Sequence, residues 1–167
     1  MVLREKSHRL PREFYKGEIS AAFTLCLKKD LGNVDARFSL REREIVDIFT
    51  SFLTSAAVKE RCIVPVYCFM DDHQHLIISG IGTDGDIWKT AVSYKQNTGF
   101  WMSVNRPGMK WQKDFYDHVI RTKEDMVTQV KYILNNPVRK RQVSFWEEYP
   151  FKGSIGCNLG DFLNKII

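Results

Sequence analysis

The chain has 167 residues, of which 44% are hydrophobic and 27% charged, a balance that fits one soluble globular domain with a core of ordinary size. It contains no apolar run near the ~20 residues that a membrane-spanning helix requires, and its N-terminus, with Arg4, Glu5 and Lys6 among the first six residues, lacks the apolar segment of a secretory signal. Its net charge is +5, with Arg4, Lys6, Arg9, Arg12 and Lys16 near the N-terminus, Lys110, Lys113, Arg121 and Lys123 later, and Arg139, Lys140 and Arg141 in one run. Trp101, Trp111, Phe115 and Tyr116 lie among these basic residues. Basic groups with interleaved rings suit single-stranded nucleic acid, which offers phosphates and base faces; a solvated surface over core aromatics accounts for the same composition. Cys26, Cys62, Cys68 and Cys157 show no CxxC spacing, and three of them lie in apolar segments, which points to free thiols and a reducing cytoplasm.

In chain order, residues 1–17 read as an irregular basic arm with Pro11 and Gly17. Residues 19–27 are apolar with β-formers and predict a strand. A loop with Gly32 and Asn33 follows, and Ser39 with Glu42 has the spacing of a capping box for a first helix running to about Glu60. Ile45, Ile48, Phe49, Phe52 and Leu53 supply its apolar face. An apolar run over residues 63–70 enters a turn at Asp71 and Asp72 and leaves it through His73, Gln74 and His75 into a second apolar run, a strand hairpin by pattern. Gly80, Gly82 and Gly85 mark a loop, and Asp86 opens a second helix, with Trp88, Ala91, Val92 and Lys95 on one face, that ends near Gly99 or shortly after. After a Pro107-Gly108 turn, residues 111–120 predict a fourth strand. Thr122 and Asp125 then open a third helix, which Pro137 stops. Residues 151–167 carry little signal and read as a tail to a single domain whose core spans about 11–150. The order β-α-β-β-α-β, with an added C-terminal helix, predicts an α+β fold: a ferredoxin-like or RRM-like four-stranded antiparallel sheet with two helices on one face.

Strand side chains alternate, so His73 and His75 share a face roughly 6.6 Å apart. Two imidazoles at that spacing can converge on one metal ion with bonds of about 2.1 Å. They serve equally as surface residues or as hydrogen-bond partners of Asp71 and Asp72. A structural zinc site needs four ligands, which the cysteines are not spaced to complete, whereas an open site with few protein ligands is the catalytic pattern. On the third helix, Met126, Val130, Ile133 and Leu134 form the apolar stripe with Val127 at its edge, and Tyr132 and Asn136, four residues apart, fall on the far side. Tyr132 is thus off the core stripe: an exposed ring, a ring packed on the sheet's other face, or a functional group.

Three motifs in register resemble one family. They are Met70-Asp71-Asp72-His73-Gln74-His75, then Trp111-Gln112-Lys113-Asp114-Phe115-Tyr116-Asp117-His118, then Tyr132-Ile133-Leu134-Asn135-Asn136-Pro137-Val138. Over residues 11–150 the chain resembles the bacterial REP-associated tyrosine transposases, a branch of the HUH single-tyrosine transposases. Two positions depart from the family pattern: Gln74 stands where a hydrophobe is common, and Asp71 where the turn has proline. The resemblance implies that Tyr132 attacks a DNA phosphodiester to form a 5′-phosphotyrosine. It implies a magnesium or manganese ion held by His73, His75 and the Asn136 side-chain oxygen, with Asp72 either assisting the metal or serving as a turn residue. It further implies a cytoplasmic enzyme, monomer or homodimer, acting on single-stranded or hairpin DNA at palindromic repeats. Arg12, Lys95, Gln96, Lys113, Arg121, Arg139 and Lys140 are DNA-contact candidates by residue type. A non-catalytic nucleic-acid-binding module on the same fold and a metal-dependent nuclease that uses water are the competing classes. A covalent protein–DNA adduct separates both from the first reading.

Overall fold

A computed structural model describes residues 9–29 and 38–167. Arg4, Lys6 and the Gly32-Asn33 loop lie outside the described residues. The order of elements is β1 (Ser20–Cys26), α1 (Arg43–Lys59), β2 (Cys62–Phe69), β3 (His73–Gly80), α2 (Ile87–Asn105), β4 (Tyr116–Ile120), α3 (Lys123–Leu134), α4 (Asn136–Arg139), β5 (Lys152–Ile155) and α5 (Leu159–Ile166). The strands form one sheet in the order β4-β1-β3-β2-β5, with every pairing antiparallel. The first four strands give the expected ferredoxin-like plan. The fifth is an addition that the sequence reading did not contain.

Alternation along the strands builds two cores. On β3, Leu76 and Ile78 face α1 and α2, where they join Phe23, Phe49, Phe69 and Tyr94. Ile77 faces the other way, toward Val130, Ile133 and Leu134 of α3. β2 changes parity partway along: Cys62 and Val64 belong to the α1/α2 core, whereas Val66 and Cys68 belong to the α3 core. The cause is a register shift between Ile63 and Val66 that brackets Pro65. Proline has no N–H for the ladder and is accommodated at a bulge, and one extra residue turns every following side chain over.

Several boundaries differ from the sequence reading. α1 begins at Arg43 without a side-chain cap, because the Ser39 hydroxyl instead donates to Asp71 (3.0 Å) and accepts from the Arg41 N–H. α2 runs through Gly99 to Asn105, and its buried stripe is Ile87, Thr90, Ala91, Tyr94, Thr98 and Met102; Trp88, Val92 and Lys95 instead flank an open groove. β4 is half its expected length. Trp111 makes only an isolated bridge to Leu27, and its indole donates to Thr98 (2.8 Å) to seal the α1/α2 core. α3 is capped by Thr122, which accepts from the Asp125 N–H, as the spacing predicts. It ends at Leu134, and Asn136 opens the separate turn α4 with Pro137 in its first positions, where the missing N–H costs nothing.

The segment read as a tail is structured. β5 pairs with β2, and α5 lays Leu159, Phe162, Leu163 and Ile166 on the α3 core. No helix among the described residues is long and apolar enough to cross a membrane.

Candidate active site

The β2–β3 turn is held from three sides. Met70 N–H donates to the His73 carbonyl across the turn, and Leu27 N–H and Leu40 N–H donate to the carbonyls of Asp72 and Asp71. The Asp71 carboxylate accepts from Ser39 and from the Gln142 amide (2.9 Å). The Asp71 carboxylate therefore ties the turn to the segments before α1 and after α4. Gln74 is fully buried on the α1/α2 side, where its Oε1 accepts from the Tyr94 hydroxyl (2.5 Å) and its Nε2 has no partner.

On the opposite face, His73 and His75 lie with ring centroids 4.7 Å apart. Each has its Nδ1 engaged from outside: His73 by the Asp72 carboxylate at 2.7 Å, His75 by the Thr24 hydroxyl at 2.9 Å. Burial raises the Asp72 carboxyl, but the His73 hydrogen bond and charge, with Lys29 at 3.4 Å, outweigh it and hold the group below the usual carboxylate range. His75 is buried, and burial, then the charges of His73 and Arg139, push its pKa down to about 3. It is therefore neutral at ordinary pH.

Asn136 is also buried, with its side-chain amide 2.6 Å from His75 Nε2. The sequence projection places Asn136 on the Tyr132 face of one continuous helix. The break after Leu134 alters that geometry, yet α4 still turns the amide onto His75. Tyr132 is 47% exposed, its ring edge-on to His75 with centroids 5.5 Å apart. The Arg139 guanidinium lies over that ring, 4.2 Å from its centroid.

Among the described residues no group of three His, Cys, Asp or Glu side chains could hold a metal ion. The donor set here differs: two imidazoles and one amide. It fits a divalent ion in three respects. Outer partners fix both imidazoles through Nδ1, the arrangement that orients metal-ligating histidines. His75 is neutral, as a ligand must be. An Asn amide turned over presents Oδ1 where Nδ2 stands, next to the His75 Nε2 lone pair.

The remaining candidates fall into separate places. Arg139 stands at the Tyr132 ring, and Lys140 is exposed beside it in the chain. Lys95, Gln96 and Lys113 line a groove of about 520 Å³ with Arg9, Trp88 and Trp111, packed against the α2 side. There Lys95 Nζ donates to the Lys113 carbonyl. Arg12, exposed in a short 3-10 helix, is near that groove's Trp88. Arg121 is exposed just past β4, at the end of the sheet away from His73. Sequence reasoning missed Thr24, because a threonine in an apolar strand carries no local signal and only the β1–β3 register, Thr24 opposite His75, reveals it.

The site is thus an open α+β sheet face bearing two oriented histidines, an asparagine and a tyrosine. No protein-family model and no curated protein matches the chain. Among solved structures it is similar to a REP-associated tyrosine transposase bound to a REP hairpin, with 20% sequence identity, a TM-score of 0.69, and coverage of 86% of this chain and 81% of the other. The two share a fold.

Proposed function

We propose that this chain is a metal-dependent, single-tyrosine DNA strand transferase of the REP-associated tyrosine transposase type, acting on single-stranded or hairpin DNA. The observation that carries the reading is the meeting of Tyr132 and Asn136 at His75, from two elements on either side of a helix break. A binding module needs a basic surface and no such convergence. The similar transposase is bound to a hairpin, and the same class of DNA is the substrate expected here.

In the reaction, Tyr132 Oη attacks the phosphorus of a phosphodiester. As the Oη–H bond breaks, a new P–O bond joins the tyrosine to the 5′ phosphate, the bond to the 3′ oxygen breaks, and that oxygen takes up a proton, balancing the one the tyrosine releases, and leaves as a 3′-hydroxyl. The phosphotyrosine conserves the diester for rejoining, which is the use of nucleophilic covalent catalysis. Attack builds negative charge on the phosphate oxygens, so cationic groups at the reacting atoms lower the barrier. Arg139 supplies one charge at the Tyr132 ring. His73, His75 and Asn136 would hold magnesium or manganese, which when bound polarises the phosphate and offsets its developing charge. Asp72 and Thr24 orient the two imidazoles.

Cleavage of a labelled hairpin with single-stranded flanks tests the metal requirement. Chelator and His75→Ala should each abolish it, with manganese restoring only the chelated wild type. Full-rate cleavage in chelator would remove the metal from the account.

A further inference from the structure

The face of the sheet that carries the histidines is only partly covered. Ala22, Ile77 and Ile120 pack beneath α3, but Thr24 and Cys26 of β1 remain partly exposed, and Tyr116, at the start of β4, is 62% exposed. The register makes this corner part of the candidate site. Thr24 lies opposite His75 on one side and opposite Tyr116 on the other, so His75, Thr24 and Tyr116 form one rung across three strands. Residues directly opposite in an antiparallel pair project from the same face.

The neighbours of Tyr116 verify its direction. Phe115 points into the α1/α2 core, edge-on to Phe23. Asp117 points the same way and accepts from Tyr15 Oη (2.5 Å) and Arg9 Nε (2.8 Å). Tyr116 therefore faces the histidines, about 10 Å from His75 at the backbone by strand spacing. Among the described residues no ring contact, hydrogen bond or ion pair occupies it. Exposed cations continue the surface past Cys26: Lys29, 3.4 Å from Asp72, with Lys28 and Lys110 joined by a backbone hydrogen bond.

We propose that Tyr116 is a base-stacking subsite. It would take one unpaired nucleobase of a single strand lying across the rung, next to the phosphodiester held at His73, His75 and Tyr132. An exposed ring on a sheet face is the platform on which single-stranded nucleic acid is commonly read. Here the platform shares Thr24 with the histidine it adjoins, and the lysines past Cys26 suit a phosphate chain leaving the corner. The proposal rests on the DNA reading given above and assigns Tyr116 no part in bond making.

The test uses the full chain and a hairpin with an oligothymidylate flank carrying iododeoxyuridine at successive positions. Irradiation should crosslink one position, and the modified peptide should contain Tyr116. Tyr116→Ala should lose that crosslink and weaken binding by about 5- to 150-fold, the range for loss of one stacked base. Tyr116→Phe, which keeps the ring, should bind within about twofold of wild type. Unchanged binding by Tyr116→Ala, or a crosslink that survives in it, overturns the subsite. Adduct formation is scored separately in the same samples. An adduct with no Tyr116 effect refutes the subsite alone, whereas a Tyr116 crosslink without any adduct refutes the strand-transfer reading and upholds the subsite. Absence of binding to any strand refutes both.

Discussion

At the scale of single residues, the site is set by what holds the imidazoles from behind. His75 Nδ1 meets the Thr24 hydroxyl, and His73 Nδ1 meets the Asp72 carboxylate. These contacts fix the ring planes and leave the metal-binding role to Nε2 of each ring, which at His75 meets the Asn136 amide at 2.6 Å. Loss of such an outer partner typically costs about 10- to 100-fold in metal affinity. Thr24→Val keeps the β-branched shape and removes only the hydroxyl, so the fold should persist while manganese affinity, measured by titration calorimetry, falls within that range. Unchanged affinity would mean that Thr24 does not orient the ligand. His73, His75 and Tyr132 were legible in the sequence because strand alternation and helical periodicity are local rules. Thr24 and Tyr116 were not legible as neighbours of the site, because they reach it through strand register, and register depends on pairings distant in the chain.

At the scale of elements, β3 works as a partition. Of its odd residues, His73 and His75 make the site and Ile77 joins the α3 core, while Leu76 and Ile78 face the α1/α2 core, so Gln74 places a polar amide at full burial directly behind the histidines. Tyr94 satisfies its oxygen, and its nitrogen is left without a partner. Removing one partner of a buried hydrogen bond costs about 1–3 kcal/mol, whereas replacing both by apolar groups is nearly neutral. Tyr94→Phe should therefore destabilise the chain by that amount in urea denaturation, and Tyr94→Phe with Gln74→Leu should recover most of the loss. Additive losses in the double variant would contradict the pairing. The elements that sequence reading misplaced have physical causes. Trp111 looks like strand because it is apolar and follows a turn, but its indole is committed to Thr98 in the core. β5 has four residues with only Ile155 buried, too few for alternation to register. α5 does carry an i, i+3, i+4, i+7 pattern at Leu159, Phe162, Leu163 and Ile166, capped by Asn158, and was within reach of the same rule that found α3.

At the scale of the whole molecule, burying a neutral histidine links stability to pH. In the unfolded chain His75 titrates near its ordinary value of 6.5, and in the folded chain near 3. Between those values the unfolded state binds the extra proton, so stability falls as pH falls through that window. The slope approaches 1.4 kcal/mol per pH unit, or about 2 kcal/mol between pH 7 and pH 5. Chelated wild type should show this loss by denaturant titration at the two pH values, and His75→Asn should show a much flatter dependence. An equal slope in both would place the acid sensitivity elsewhere. The same buried, neutral imidazole is what the catalytic reading requires, so the whole account turns on whether Tyr132, beside it, is a nucleophile. The most direct measurement is trapping of the chain on labelled hairpin DNA under denaturing conditions with manganese present, followed by mapping of the modified peptide. The account predicts an adduct on Tyr132 that Tyr132→Phe abolishes with little loss of DNA binding and that Tyr116→Phe retains; an adduct that survives in Tyr132→Phe, or cleavage without any adduct, would contradict it.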